Sequence, residues 1–395
     1  MDPLIYLDNN ATTALDQEVL EAMMPYFTTR YANASSTLHR AGKLAAQGVE
    51  QARENLADLL HCQARELYFT SGATEAVNWA IRGAYERSKS FRRHIIVGAT
   101  EHKAVLDTCR YLEKQGAELT YLPVQETGTV DPLVLKAALR EDTFMVALMY
   151  ANNETGVIHP VDEIAKVLQG HAALWFCDAT QAAGKIPIDL QLLPVDMLCV
   201  SAHKFYGPKG AGALYIRRGA RSMPVEPLFS GGGQEHGLRA GTLNVPGIVG
   251  LGAAAKIAAE KMSGDQIRIQ SLRDFLEGQF LDLPETYVQG NLAPRLYTTL
   301  NITFRYVRAE QLIAALRHVA VSTGSACTTG SLTPSHVLSA MGQSAEDAKS
   351  SLRISLGRFN TLKEVKMAAA EISGKVRDLR AGDPVWKMFL EGHIS

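Results

Sequence analysis

Between about residues 16 and 218 the chain alternates short apolar runs with amphipathic stretches of helical period, and this alternation constrains the fold more than any other feature. Residues Leu67–Thr70, His94–Gly98, 119–122, 144–149, Leu174–Asp178 and Met197–Ser201 read as strands. Between most of them lie helix-period stretches such as 74–87, 103–115 and Val161–Leu168. Strands separated by helices return in the same direction, so the expected class is α/β, a parallel or mostly parallel sheet with helices on both faces. The segments 248–261, 266–281, Thr299–Phe304, 309–316, 352–355 and 362–376 mix helices with fewer strands and read as a smaller α+β lobe. At 395 residues the chain exceeds one ordinary core. We expect a large domain over 15–260 and a small one made of 1–14 and 261–395.

Composition narrows the function. Hydrophobic residues make up 46% and charged residues 21%, with a net charge of -1, which gives no case for nucleic acid or a membrane surface as the main partner. The N-terminus has no basic region followed by an apolar stretch, and no apolar run approaches the length of a membrane span. An enzyme with a small substrate, working in a reducing cytoplasm, is expected.

The cysteines Cys62, Cys109, Cys177, Cys199 and Cys327 lie too far apart in sequence for a zinc motif, and their odd number argues against a disulfide framework. Cys177 and Cys199 adjoin apolar runs and read as buried and inert, and Cys62 and Cys109 lie near expected helix ends. Cys327 is different. It sits within Ser322-Thr323-Gly324-Ser325-Ala326-Cys327-Thr328-Thr329-Gly330-Ser331, a small, polar, glycine-punctuated segment of about 322–333 that reads as a loop with an accessible thiol. Nothing basic in that loop would make the thiolate, so activation has to come from elsewhere.

In a parallel sheet ligands bind at the carboxyl ends of the strands, and the residues there are rich in chemistry. Ser71-Gly72-Ala73-Thr74 joins a strand to a helix, a place for an anion such as phosphate or for ordinary N-capping. Ser201-Ala202-His203-Lys204 puts a lysine at a strand end, where a partly desolvated amine can form a Schiff base. Asp178 ends an earlier strand, and an aspartate facing a pyridinium nitrogen is the usual companion of a pyridoxal phosphate lysine. Taken singly, Asp178 could cap a helix, His203 could be a satisfied core histidine and Lys204 a surface lysine. Arg353 lies inside an apolar strand and needs an anionic partner, either a bidentate carboxylate or a structural salt bridge. The triglycine 231–233 is given no catalytic role.

Together these segments resemble the cysteine desulfurases, in particular the group I branch that serves nitrogen fixation and iron–sulfur cluster assembly. The resemblance covers nearly the whole chain and rests on Tyr6-Leu7-Asp8-Asn9-Asn10-Ala11-Thr12-Thr13, Thr70-Ser71-Gly72-Ala73-Thr74-Glu75, Thr100-Glu101-His102-Lys103, Asn152-Asn153-Glu154-Thr155-Gly156, Asp178-Ala179-Thr180-Gln181, Ser201-Ala202-His203-Lys204, Gly231-Gly232-Gly233-Gln234-Glu235, Arg239-Ala240-Gly241-Thr242 and the Cys327 loop. It implies a fold type I, aspartate-aminotransferase-like homodimer that carries pyridoxal 5'-phosphate on Lys204. It further implies Asp178 at the pyridine nitrogen, Gln181 at the ring hydroxyl and His102 stacked on the ring. Ala73, Thr74, Ser201 and His203 would hold the phosphate, with Thr242 reaching it from the other subunit, and Asn153 would contact both cofactor and substrate. Asn153 and Arg353 would orient the carboxylate of L-cysteine. Lys204, His102 and Cys327 would be catalytic: Lys204 takes the Cα proton, His102 serves as acid and base, and Cys327 attacks the substrate sulfur to leave alanine and a persulfide.

The resemblance also implies an iron–sulfur scaffold or other sulfur-acceptor protein as partner, and no resident metal, with Cys327 at most a transient cluster ligand on a scaffold. Selenocysteine lyase and other fold type I enzymes share Lys204 and Asp178, although an aminotransferase has no use for Cys327. A non-catalytic assembly protein would not need Lys204, Asp178 and Cys327, all of which are present. Ala34 stands where the family usually has Pro, Thr333 replaces a frequent acidic residue, and the tail from Trp386 is short for docking a scaffold.

Overall fold

The computed structural model describes residues 4–219, 225–323 and 334–393. Its centre is a seven-stranded sheet in the spatial order Leu67–Thr70, Gly212–Ile216, Met197–Ser201, Leu174–Asp178, Thr143–Ala147, His94–Gly98, Glu118–Leu122. All neighbours are parallel except around Gly212–Ile216, which runs antiparallel to both Leu67–Thr70 and Met197–Ser201. The mostly parallel α/β expectation holds. The reversed strand, absent from the pattern reading, follows Met197–Ser201 after a connection too short for a crossover helix, so the chain has to return antiparallel.

Six of the seven strands are buried along their whole length, which is why they read as continuous apolar runs rather than alternating ones. One face packs Val49 and Leu56 of the helix Arg40–Leu60 and Leu251 of Val245–Leu281 against Phe69, Val146 and Val200. The other packs Trp79 and Tyr85 of Ala73–Ser88 and Val105 of Lys103–Glu113 against Ile95, Phe144 and Phe176.

A second core forms around the antiparallel strands Thr286–Val288, Thr299–Phe304 and Ser351–Ser355. Val365 and Ile372 of Leu362–Gly382 cover it, and Ile5 and Leu7 join it from the N-terminus. Val245–Leu281 is one helix of 37 residues, where the sequence reading has two stretches, 248–261 and 266–281. Gly264 between them costs about 1 kcal/mol relative to alanine. Both flanks are nevertheless seated, Leu251 in the first core and Leu276 and Phe280 in the second, and packing overrides that local penalty.

Cys109 lies within the helix Lys103–Glu113 and is fully buried, a correction to its placing near a helix end. Burial pushes its thiol and that of Cys62 up to about 12, and those of Cys177 and Cys199 well above the usual range. Cys327 lies outside the described residues. Among the described residues no helix is long and apolar enough to cross a membrane.

Candidate functional site

At the carboxyl ends of the central strands lies a cavity of about 630 Å³. Its wall contains Ala73, Thr74, His102, Asn153, Asp178, Gln181, Ser201, His203, Lys204 and Arg353. These come from both cores and from segments far apart in sequence. The topology collects them because each parallel strand ends on the same edge.

Lys204 closes the single turn Ala202–Lys204 that follows the strand Met197–Ser201. Its Nζ donates to the carbonyls of Asn10 at 2.7 Å and Ala11 at 2.8 Å. The N-terminal segment therefore forms part of the wall, with Asn10, Ala11 and Thr12 lining the cavity. Asp178, the last residue of its strand, is buried, and its Oδ1 accepts the Thr180 N–H at 2.9 Å and the Cys199 thiol at 3.4 Å. It thus caps the following turn and lines the cavity at once. His203 Nδ1 lies 3.2 Å from Thr12 Oγ1, and burial, with Lys204, Lys209 and Lys185 nearby, pulls its ring down to about 4. The ring is neutral near pH 7. His102 N-caps Lys103–Glu113, its Nδ1 accepting the Ala104 N–H at 3.2 Å, so the neutral ring holds its hydrogen on Nε2.

The turn 71–74 is built to leave backbone donors available. Gly72, the N-cap of Ala73–Ser88, has no side chain to occupy the first-turn amides, and its φ of 149° is a conformation that side-chain-bearing residues rarely adopt. Gly212 on the neighbouring strand is equally required: a Cβ there would stand 2.6 Å from the Gly72 Cα and 2.7 Å from the Val200 carbonyl oxygen. Glu75 holds the turn from outside, accepting the Ser71 N–H at 2.8 Å and pairing with Arg239 at 2.8 Å.

Arg353 sits in the buried strand Ser351–Ser355. Its Nη2 donates to Asp8 Oδ1 and to Ser322 Oγ, each at 2.8 Å, and its Nη1 to the Asn153 carbonyl at 3.1 Å. Nε is buried without a partner among the described residues. The salt bridge and the ligand-facing position are thus both present in one residue. Thr242 is exposed and does not line this cavity.

Sequence reasoning gave no role to three further features at the site. Asp8 braces Arg353, Arg239 braces the 71–74 turn through Glu75, and Lys185, buried behind Gln181, donates to Gln181 Oε1 at 2.8 Å. Residues 181–185 form a turn rather than a helix, so their spacing carried no signal for the last.

The cavity is a cofactor site in an α/β fold whose lysine and aspartate project from adjacent strand ends. The sequence signature of the class-V aminotransferases matches residues 5–367, and the chain belongs to that family, whose enzymes depend on pyridoxal 5'-phosphate. Within it, the chain is 48% identical to the cysteine desulfurase IscS of Anaeromyxobacter dehalogenans, over 98% of this chain and 96% of that one. It is 47% identical to IscS of Neisseria meningitidis serogroup A over the same shares. A solved NifS-like protein superposes with a TM-score of 0.88 at 40% identity, covering 93% of this chain and 98% of its own. SspA, solved in complex with cysteine, superposes with a TM-score of 0.79 at 36% identity, covering 90% and 100%.

Proposed function

We propose that the cavity takes pyridoxal 5'-phosphate and L-cysteine, and that sulfur leaves as a persulfide on Cys327 while the rest of the substrate leaves as alanine. The activity is that of a pyridoxal-phosphate-dependent cysteine desulfurase, in line with near-full-length identity to enzymes so named. The observation that carries the reading is the convergence of Lys204, Asp178 and Arg353 on one cavity.

The residues fit the cofactor. The 71–74 turn leaves helix N-terminal amides uncapped by any Gly72 side chain, and Thr74, Ser201 and His203 add donors for the phosphate. Asp178 would face the ring nitrogen, Gln181 the ring hydroxyl, and His102 and Asn153 the ring and its substituents. When bound, the cofactor supplies an electron sink for the substrate Cα. Arg353, which lines the cavity, binds the substrate carboxylate with help from Asn153. Lys204 removes the Cα proton and His102 exchanges protons through Nε2. The Cys327 thiolate forms an S–S bond to the substrate sulfur as the C–S bond breaks, its electron pair remaining with the carbon skeleton, which takes up one proton at Cβ and regains one at Cα to become alanine.

Ser322, five residues before Cys327 in the sequence, is bonded to Arg353 at the cavity wall, which supports a role for Cys327 at this site.

The working unit we propose is a homodimer. Leu38 is 97% and Tyr31 76% exposed, large apolar side chains that a second copy could cover. Thr242 is exposed and lies outside the lining of its own cavity, which suits a residue completing a partner's. The acceptor would be an iron–sulfur scaffold or another sulfur-accepting protein, and unpaired cysteines suit a reducing cytoplasm. We read the two cores as two domains, 15–260 and 1–14 with 261–395.

The test incubates purified protein with pyridoxal phosphate and cysteine and follows the chromophore and alanine. Lys204→Ala should abolish alanine formation, a loss on the order of 10³-fold or more. Alanine formed by that variant at the unsubstituted rate would refute the assignment.

A further inference from the structure

Lys185 is a buried amine that the desulfurase reading does not use. It is 5% exposed, and among the described residues its amine has one hydrogen-bond partner, Gln181 Oε1 at 2.8 Å. The charged groups that act on it are Lys204 and Arg353, both cationic, and burial with these neighbours brings it down to about 7. Among the described residues no carboxylate pairs with it. A buried lysine held by a single neutral amide is costly. Its placing is not accidental to the backbone: at Gly184, where φ is 72°, a Cβ would stand 2.7 Å from Phe205 Cβ, so the preceding turn is pressed against the residue next to Lys204.

The amide of Gln181 is answered at both ends. Its Oε1 accepts from Lys185, and its Nε2 donates at 3.1 Å to the Asn10 carbonyl, the same oxygen that accepts from Lys204 Nζ at 2.7 Å. The two ends of a glutamine amide are nearly the same size, so only their partners decide which way it points. Asn10 O can only accept, and a lysine amine donates in either protonation state.

We propose that Lys185 is a positioning residue that locks the orientation of the Gln181 amide, so that its NH₂ end faces the cavity wall beside Lys204 and is presented to the cofactor. Through Gln181 and the Asn10 carbonyl, Lys185 is joined to Lys204 by an unbroken run of hydrogen bonds. Removing the amine leaves Oε1 buried without a donor, and the amide is then free to turn over or swing away. This proposal rests on the pyridoxal phosphate reading above.

The test is a double-substitution cycle read on the cofactor's own absorbance rather than on turnover. Holoenzyme carrying Lys185→Met, Gln181→Leu or both is titrated with pH, and the midpoint of the change in the visible band is compared with that of the unsubstituted protein. Lys185→Met should move the midpoint in the same direction as Gln181→Leu and by a comparable amount, about half a pH unit or more. The double variant should show no further shift. If Lys185→Met does not fold, Lys185→Leu removes the same donor and carries the same expectation. A midpoint unchanged in the lysine variant, or shifts that add in the double variant, would overturn the proposal. Failure of the unsubstituted protein to form any chromophore would instead overturn the cofactor reading, and this proposal with it.

Discussion

A guanidinium buried in a β-strand needs a partner for each N–H, and Arg353 has them on only part of its fork. Asp8, Ser322 and the Asn153 carbonyl take its two terminal nitrogens, while Nε has no partner among the described residues. A substrate carboxylate bound against the part of Arg353 that lines the cavity would add a charge-assisted bond. Arg353→Lys keeps the charge and loses the fork, so the KM for cysteine should rise about tenfold or more with a smaller change in kcat, measured by steady-state alanine production. A KM unchanged by this substitution would mean that the arginine serves only its partners within the protein, Asp8, Ser322 and Asn153. Lys185 gives a second prediction, on stability. Its folded value near 7 lies below its ordinary 10.5, so between those limits the unfolded chain holds a proton that the folded chain does not. Stability contributed by the neutral amine is complete above about pH 10.5 and lost as pH falls toward 7, by at most about 1.4 kcal/mol per pH unit. Urea unfolding of apo protein at pH 7 and 9 should show this rise, and Lys185→Met should flatten it. Legibility at this scale followed chemical type. Lys204, Asp178 and Arg353 were visible because a charge at a strand end or inside an apolar run is anomalous. Asp8 and Lys185 were not, because their work is to hold other side chains and depends on contacts that spacing does not encode.

At the scale of elements, two glycines, one in the turn after Leu67–Thr70 and one on the neighbouring strand, define the 71–74 turn. Gly72 supplies a backbone angle closed to other residues, and Gly212 leaves room for it. Gly72→Ala should therefore cost about 1–3 kcal/mol of local strain and weaken pyridoxal phosphate retention roughly tenfold to hundredfold, measured by equilibrium dialysis against the cofactor. Unchanged retention would show that the turn is not the phosphate site. The apolar runs marked most of the central strands within a residue or two, because strands buried on both faces have little choice of composition. Gly212–Ile216 escaped since it returns without a helix, so the alternation that identified its neighbours is broken there. The continuity of Val245–Leu281 across Gly264 was equally hidden: local propensity favours a break, and only the two cores that the helix bridges hold it together.

At the scale of the molecule, the segment that carries Thr242 is tied to the large core by a buried ion pair. Arg53 donates to both oxygens of Glu235 at 2.8 and 2.9 Å, and Glu235 also accepts the Phe69 N–H at 2.8 Å. Arg53→Met should destabilise the protein by about 3–5 kcal/mol, because it strands a buried carboxylate, and denaturant unfolding would register this. Sedimentation should give twice the mass of one chain. Thr242→Val should loosen the cofactor even though Thr242 lies on the outer surface of its own chain, and a monomer with normal cofactor retention would contradict the dimeric site. The sequence could place Thr242 only by resemblance, since no property of one chain says what faces it across a symmetry axis. The central claim is that the cavity delivers sulfur to Cys327, and it is tested most directly by the mass of the Cys327 peptide after holoenzyme meets one equivalent of cysteine. The account predicts a gain of one sulfur atom, removed by reductant, together with one alanine per chain, both lost in Cys327→Ser while its cofactor band remains. Alanine release without any mass gain on that peptide, or at an unchanged rate in Cys327→Ser, would contradict it.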